Sequence, residues 1–498
     1  MTSPSLKSAS PSVEEEALAT PKLRTAAPAV TDEQANSPRL RSGAASVYLP
    51  PPITSRLRSP APSAEDEMQA NSPRLRTSAP SVADAFTRLW TVPPNWESPV
   101  VERLSWRTEV HTSEDATEQR AGWRARPGRS LGYDFQLSEW EVPHAEMLLF
   151  ALQDQLLGIP VWTDQTKVLA PLGAGATEIP MDPAGLDLDA TSLVAVLAPD
   201  YGESAYGASG EFYELHQVAD VLADRIELAG GLVRGWASGA RVVPVRLGYL
   251  NAQASLVRPT ARGARGSVSA ELVDPGWPVL PVLEADEYRG LEVFPFRPDR
   301  SQDIEETYTR VRVRRESIGG VLVIEPRRDR PAIDRGLRVV ASGRHEIGQL
   351  RAWLHRCAGQ RKRFWCPSFS HDVDLHRDAA AGHNWLQVRS VRGGHLLGAN
   401  HGPSTEGLPA YSNPGRRDIE IRATASASSP PIRRRIVAWH EAGEGIDQVL
   451  LDEALGAELV AGRAMISWLS EQRIAADQLE LSWSTDRLVS TTIPVRSL

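Results

Sequence analysis

The stretch Leu131-Gly132-Tyr133-Asp134-Phe135-Gln136-Leu137 places an apolar residue at every second position. Successive side chains of a β-strand point to opposite faces, so this pattern predicts a strand with one buried face. Apolar residues at helical spacing then predict a helix over residues 143–157. The run Ile159-Pro160-Val161-Trp162 predicts a short strand that ends in a tryptophan. One helix packed on a β-sandwich is the economical arrangement of these elements.

A similar series recurs about 204 residues later in the chain. Matching positions include an Arg-x-Arg-Pro segment, a glycine and a serine, namely Arg124, Arg126, Pro127, Gly132 and Ser138 against Arg328, Arg330, Pro331, Gly336 and Ser342. A second helix is predicted over residues 345–358, and Arg363-Phe364-Trp365-Cys366 gives a second closing strand. Further on, Leu256 is aligned with Leu479. We predict that the core of the repeat is formed by Phe135, Trp162, Trp353 and Trp365.

The second part of each copy consists of short strand-like segments about ten residues apart, which is typical of a small barrel or sandwich. We therefore predict a mainly β protein with a few helices. Its parts are an extended arm (1–88), a β-sandwich-plus-helix module (89–163), a small β domain (164–290), a second module (291–368) and a second small β domain (369–498). Between residues 390 and 432 the last domain carries about twenty more residues than the first copy, rich in Gly, Pro and Asn. We expect an inserted surface loop there.

The arm has its own short repeat. Five cassettes, 17 or 18 residues apart, each place a leucine beside a lysine or arginine. One interpretation is a low-complexity linker that grew by slippage. The hypothesis we carry forward is an extended arm whose cassettes dock on repeated sites of neighbouring subunits. The docking residues would be Leu6, Leu23, Leu40, Leu57, Leu75, Arg24, Arg41, Arg58 and Arg76.

Composition limits the classes of function. The chain is 41% hydrophobic and 24% charged with a net charge of −8, which is ordinary for a globular protein and predicts no direct nucleic-acid contact. No apolar run reaches the roughly 18 residues of a membrane span, and no apolar signal core is present at the N-terminus. We therefore expect assembly in the cytoplasm. The two cysteines cannot provide a disulfide framework.

Two groups of residues resemble reactive sites. Cys357, Cys366, His371 and His376 are zinc-ligand types, but structural zinc sites favour cysteine pairs two to four residues apart. Buried cysteines acting as small apolar side chains are the alternative. His371, Asp372, Asp374 and His376 fit an acid–base group or an exposed alternating segment. No nucleophile elbow, His-Glu-x-x-His or phosphate-loop motif occurs. We predict no catalytic, cofactor-binding or metal-binding residue, no cofactor and no enzymatic activity.

Several segments together resemble one protein family. These are Thr117-Glu118-Gln119-Arg120, Arg124-x-Arg126-Pro127-x-Arg129 with the aromatic strand behind it, Pro160-Val161-Trp162, Ala174-Gly-Ala-Thr177 and the strand pattern at 479–495. They are similar to minor or distal tail proteins, of the tail-tip and baseplate-hub type, from long-tailed bacteriophages related to the transposable siphophages. The resemblance covers residues 90–498. The second copy departs from the Thr-Glu-Gln-Arg run.

The resemblance implies a structural virion protein with a β-sandwich of the tail-tube type, located in the viral tail. We expect a ring of three or six chains at the distal end of the tail tube, in contact with the tube, the hub and a central fibre. Tandem copies would let three chains present six modules and so match sixfold and threefold symmetry. Two alternatives are a carbohydrate-binding protein for host adsorption and a virion-associated glycan hydrolase, which would need two carboxylates in a cleft.

Overall fold

A computed structural model describes residues 88–113, 117–198, 213–273, 286–328, 330–390, 416–423, 430–443 and 445–498. All of them belong to one compact unit, Arg76–Leu498. The predicted docking residues of the arm, Leu6 to Arg76, lie outside the described residues, as does most of the predicted insertion at 390–432. No helix in the described part of the chain is both long and apolar enough to cross a membrane.

The first half of the described chain contains the following strands: β1 (Val100–Ser105), β2 (Thr108–Thr112), β3 (Glu118–Gly122), β4 (Gly128–Ser138), β5 (Leu157–Pro160), β6 (Thr166–Lys167), β7 (Glu178–Pro180), β8 (Leu193–Leu197), β9 (Tyr213–Val221), β10 (Arg225–Leu228), β11 (Arg241–Leu250), β12 (Ser255–Thr260) and β13 (Gly263–Leu272). Helix α1 (Glu141–Leu152) lies between β4 and β5, and a 3-10 turn covers Trp162–Asp164.

The second half continues with these strands: β14 (Glu287–Tyr288), β15 (Leu291–Glu292), β16 (Glu306–Thr309), β17 (Arg312–Glu316), β18 (Leu322–Pro326), β19 (Ala332–Ser342), β20 (Arg363–Pro367), β21 (Trp385–Arg389), β22 (Asp418–Arg422), β23 (Ile432–Gly443), β24 (Ile446–Leu451), β25 (Met465–Ile474), β26 (Gln478–Thr485) and β27 (Leu488–Ser497). Helix α2 (Gly343–Cys357) lies between β19 and β20. Strands hold 50% of the structure, which confirms the mainly β prediction.

One antiparallel network joins most of these strands. In the first half, β4 pairs with β1 and β13, β13 with β12 and β11, and β11 with β5 and β8. In the second half, β19 pairs with β16 and β27, β27 with β26 and β25, and β25 with β20 and β22. Five strands that we grouped with the small β domains therefore pair with strands of the sandwich modules, namely β11, β13, β25, β26 and β27.

The registers of these pairs can be compared directly. Glu102 faces Leu131 across β1 and β4, and Glu306 faces Arg335 across β16 and β19. Leu256 faces Gly266 across β12 and β13, whereas it is Leu481 that faces Thr491 across β26 and β27. Because Gly132 faces Ser269 and Gly336 faces Pro494, Gly266 has the same pairing position as Thr491. By strand pairing Leu256 therefore corresponds to Leu481, two residues beyond the Leu479 of the sequence alignment. Backbone pairing sets this position, and the side chains on the two strands are too dissimilar to reveal it.

The strand predicted from residues 131–137 lies inside β4, and its burial alternates as expected. Both helices differ in length from their predictions, 143–157 and 345–358. The two helices also differ in their surroundings. Trp353 of α2 is fully buried with Phe294, Phe296 and Phe364, at ring-centroid distances of 5.1, 5.8 and 5.1 Å. Phe150 of α1, which falls on Trp353 when the two copies are aligned with one residue lost before the second helix, is 97% exposed.

One large core extends through both halves. It contains side chains from β1, β4, β11, β13 and α1 of the first half and from β19, β20, β26, β27 and α2 of the second. Two smaller cores lie beside it, one within residues 168–242 and one within residues 373–468. Because the large core is continuous, the two halves are packed against each other along a shared boundary.

Candidate functional site: a buried ion cluster where the two halves meet

Strand β1 of the first half pairs antiparallel with β26 of the second, from Val100 opposite Trp483 to Ser105 opposite Gln478. The amide of Trp106 extends the contact by donating to the carbonyl oxygen of Asp477 at 2.9 Å. We call this boundary, with the side chains around it, the seam. It is the point at which a sheet from one half continues into the other.

The hairpin formed by β2 and β3 strengthens the seam from one side. Its Glu118 accepts two hydrogen bonds from Arg473 of β25, at 2.7 and 2.9 Å. The backbone amide of Thr108 donates to the Asp477 carboxylate. The guanidinium of Arg120 donates to the carbonyl oxygen of Gln360 at 3.4 Å. The first-half hairpin therefore lies on the second half and contacts it through charged groups.

Buried carboxylates and guanidiniums of both halves form a hydrogen-bonded cluster at the seam. The carboxylates are Glu102, Asp164 and Asp187, and the guanidiniums are Arg129, Arg246 and Arg351; each of these residues is at most 7% exposed. A fourth guanidinium, that of Arg344, donates to Asp164 Oδ1 at 3.3 Å from the edge of the cluster. Charges buried at this depth are stable only when they are paired and hydrogen-bonded.

The first-half part of the cluster centres on Asp187, which lies in the loop before β8. Its carboxylate accepts hydrogen bonds from Arg129 and Arg246, the latter through Nε at 3.2 Å and Nη2 at 2.5 Å. Arg129 also donates to Glu102 Oε1 at 2.7 Å. The backbone amide of Asp187 donates to Asp164 Oδ2 at 2.9 Å. The loop, β1, β4, β11 and the 3-10 turn are thus held by one set of polar contacts.

Arg351 of α2 joins the second half to this set. It donates through Nη1 to both carboxylate oxygens of Asp164, at 3.1 and 2.9 Å, and through Nη2 to Glu102 Oε2 at 3.2 Å. Its guanidinium carbon lies 4.8 Å from the centre of the Trp483 ring, a cation–π arrangement. The Trp483 indole N–H in turn donates to Glu102 Oε2 at 3.0 Å. One cation of the second half therefore bridges two anions of the first.

The pKa values in the cluster follow from these contacts. Burial alone would raise the pKa of Glu102, but Arg129 and Arg351 hold it below its usual value. Burial is likewise the largest effect on Asp187, yet Arg129 and Arg246 lower its pKa to about 2. The pKa of Arg351 is raised, because the fields of Asp164 and Glu102 outweigh its burial. Glu102 and Asp187 are therefore ionised and Arg351 is protonated at neutral pH.

Close backbone contact accompanies the charges. Gly185, in the same loop as Asp187, has a φ of +73°, and a Cβ there would lie 2.5 Å from the carbonyl oxygen of Arg344. A Cβ on Gly348 of α2 would lie 3.1 Å from Gly185 Cα. Arg344 also donates to the carbonyl oxygens of Thr163 and Gln165, both at 2.9 Å. The loop therefore lies directly on the first turns of α2.

The predicted repeat-core residues are all buried, at 1% exposure for Phe135, 2% for Trp162, 0% for Trp353 and 5% for Trp365. Three of them lie in the large core, and Trp162 donates to the Tyr133 hydroxyl at 3.2 Å. Trp365 lies instead in a small separate cluster with Val293 and Leu469. Alternate residues of β20 point to opposite faces, so Phe364 and Cys366 enter the large core while Trp365 does not.

The groups considered for metal or acid–base chemistry are spread over different environments. Cys357 and Cys366 are buried, and burial raises the pKa of both thiols, that of Cys366 to about 12. His371 and His376 are exposed. Asp372 accepts the amide of Trp468 at 2.8 Å, and burial raises its pKa. Among the residues described, no group of three or more His, Cys, Asp or Glu is placed to hold a metal ion.

Sequence reasoning did not identify the ion cluster, because its members come from strands, a turn, a loop and a helix far apart in the chain. One signal was present. Arg351 falls on the apolar stripe Ile347, Leu350 and Leu354 of α2, where a charged residue requires a buried partner. No protein-family model matches the chain, and no curated protein is similar to it.

Proposed function

We propose that the chain is a structural protein of a bacteriophage tail, built from two tandem copies of one β-sandwich-plus-helix unit. It forms a ring at the distal end of the tail tube and joins the tube to the hub or fibre by symmetry matching. The family resemblance supports the tail assignment. The shared order of strand pairings, β1–β4–β13–β12 and β16–β19–β27–β26, supports the tandem organisation.

The observation that carries the proposal is the seam. Strand β1 of the first half adds to the outer edge of β26 in the second half, as a strand of a neighbouring subunit would in a ring. Head-to-tail contacts of this kind repeat around a closed ring when the rotation between units closes. Three chains would then supply six units, so that one end of the ring fits a sixfold tube and the other a threefold hub.

The state of the buried carboxylates supports a structural role over a glycan hydrolase. A general acid in a hydrolase needs a raised pKa to keep its proton. Glu102 and Asp187 have lowered pKa values, and arginines occupy their oxygens. The pKa of Asp372 is raised by burial, but its carboxylate already accepts hydrogen bonds from the Ser368 hydroxyl and the Trp468 amide. Such groups act here as fixed charges that hold two halves together.

The test is the position of the chain in virions. Particles would be purified from cells that carry the gene, and an antibody against residues 88–498 would be located by gold labelling in electron micrographs. We expect label at the distal end of the tail. An antibody against the major capsid protein is the control, because it shows that antibodies reach the particles. Label on the capsid only, or particles that lack the chain by mass spectrometry, would rule the proposal out.

A further inference from the structure

The seam uses the outer edge of β1 in the first half and of β26 in the second. The corresponding strands of the opposite halves are β16 and β12. Within the described residues, β16 pairs only with β19, and β12 pairs only with β13. All four residues of β16 are exposed, as are five of the six residues of β12. A strand edge with unpaired amides and carbonyls is a template for another strand.

We infer that β16 of one chain pairs with β12 of a second copy of this chain, antiparallel and in the register of β1 with β26. This inference rests on the tandem organisation proposed above and does not depend on the role in a tail. In that register Glu306 faces Leu256, as Glu102 faces Leu481 in the seam. Pro259, which cannot donate a backbone hydrogen bond, falls outside the paired segment.

The second hairpin provides an independent argument. The pair β17–β18 has the same strand lengths and the same one-to-one pairing as β2–β3. The first hairpin lies on the second half, whereas the second exposes apolar side chains on both faces. Ile318, Val321, Leu322, Val323 and Ile324 are 111%, 63%, 47%, 47% and 47% exposed. A contiguous exposed apolar surface of this kind marks a contact with another protein.

The surface that would receive this hairpin is complementary to it. In the seam, the first residue of β3, Glu118, pairs with the ninth residue of β25, Arg473. The first residue of β18 is Leu322, and the ninth residue of β11 is Tyr249, which is 41% exposed. Both members of an ion pair are thus replaced by apolar residues at matching positions. A joint change of this type is what two surfaces in contact require.

Charge at the strand edge is also complementary. Glu306 lies on β16 beside Arg335, at 3.5 Å, and its side chain is 31% exposed. Arg258 lies on β12 at the position of Trp483 on β26, the residue whose indole donates to Glu102 in the seam. Its side chain is 51% exposed and contacts Glu146 of α1. In the inferred register Arg258 of one chain would reach Glu306 of the next.

The inferred contact is head-to-tail, because each chain offers β16 to one neighbour and β12 to another. Such contacts produce an oligomer in which every internal chain uses both edges. The intrachain seam and the interchain contact would alternate. They would differ in character, since the first is held by buried charges and the second by apolar side chains of the hairpin.

The test uses the full chain and the pair Leu322 and Tyr249. Self-association would be measured by sedimentation velocity and native mass spectrometry for Leu322→Glu, Tyr249→Arg and the double variant. Each single change places one unpaired charge in the contact, and we expect at least about a tenfold rise in the dissociation constant. The double variant recreates the Glu118–Arg473 pair, and we expect it to recover association. Val233→Glu, at a residue 82% exposed and outside the contact, is the matched control.

Hydrogen exchange supplies a second readout that does not depend on these substitutions. Amides of β12 and β16 should become protected with rising protein concentration in the wild-type chain and stay exposed in Leu322→Glu. A wild-type chain that stays monomeric up to its solubility limit would overturn the inference, as would single variants that associate normally. If the cycle behaves as expected but virions carry no label, the tail assignment fails and the contact between copies stands.

Discussion

Arg351 is the member of the ion cluster that comes from the second half of the chain. Removing its guanidinium should therefore weaken the contact between the two halves. Arg351→Met keeps a long apolar side chain but leaves Asp164 and Glu102 without the cation that bridges them at 2.9 and 3.2 Å. Breaking a buried pair from one side costs about 3–5 kcal/mol, mostly because the remaining charge stays buried. A protein of ordinary stability has only about 5–15 kcal/mol in total.

The chain contains a matched control that crosses the same seam. Arg103 of β1 pairs with Glu480 of β26 at 3.1 Å, and the two side chains are 45% and 53% exposed. Exposed pairs contribute about 0.2–1 kcal/mol, because water screens them and their ordering costs entropy. Arg103→Met should therefore lower the free energy of unfolding by no more than about 1 kcal/mol.

The measurement is urea unfolding of the full chain, followed by tryptophan fluorescence at one fixed protein concentration, because association shifts apparent stability. With a slope near 3 kcal/mol per molar, the Arg351→Met midpoint should fall by about 1 M or more. A double-mutant cycle with Asp164→Asn should give a coupling of about 1–3 kcal/mol. If Arg351→Met and Arg103→Met destabilise equally, the reasoning from buried charge is wrong.

Three further outcomes follow from the described structure. Since the pKa of Asp187 is lowered to about 2, its contribution to stability is present above the unfolded pKa near 4 and is lost as pH falls toward 2; unfolding curves between pH 7 and 3 should show a loss from this group on the order of 1 kcal/mol, which Asp187→Asn removes. Gly185→Ala should destabilise more than Gly175→Ala in the same assay. Both glycines have positive φ, but only a Cβ added at Gly185 would have backbone atoms within 4 Å of it. Equal effects would mean that the loop contact with α2 contributes nothing. Tyr133→Phe leaves two indole N–H groups and one carbonyl without the hydroxyl that binds them at 2.8, 3.2 and 2.8 Å, so it should cost about 1–3 kcal/mol by thermal melting, and an unchanged melting temperature would contradict this.

Patterns that repeat within a few residues were predictable. The alternation from Leu131 to Leu137 correctly indicated a half-buried strand, and the apolar stripe of α2 is buried as predicted. The stripe of α1 was placed on the wrong face, because the helix buries Val142, Ala145 and Leu148 and leaves Met147 56% exposed. The tandem organisation, the arm and its docking residues stay predictions. The faces of short strands were harder to predict, and Trp365 illustrates why. A four-residue apolar run gives no alternation, so its sequence cannot tell which residue enters which core.

The seam could not be derived from local pattern, because it depends on which strand edges meet. Glu102 and Trp483 are ordinary strand residues in sequence, and only the β1–β26 pairing brings them together. Buried charge is similarly a property of the assembled structure. Arg351 could have been suspected from its position on an apolar helix face, but its partners Asp164 and Glu102 carry no sequence signature.

The pairing of β1 with β26 also affects how the chain is made. Glu102 and the indole that binds it are 381 residues apart. Ribosomes add about 5–20 residues per second, so β1 would wait roughly 20–80 s for its partner strand. During that interval its edge is open, and Glu102 lacks Trp483 to the end and Arg351 until 249 further residues have been added. A finished β26 from a chain on the same messenger could pair there first, so strand exchange between nascent chains is the characteristic folding hazard of this topology.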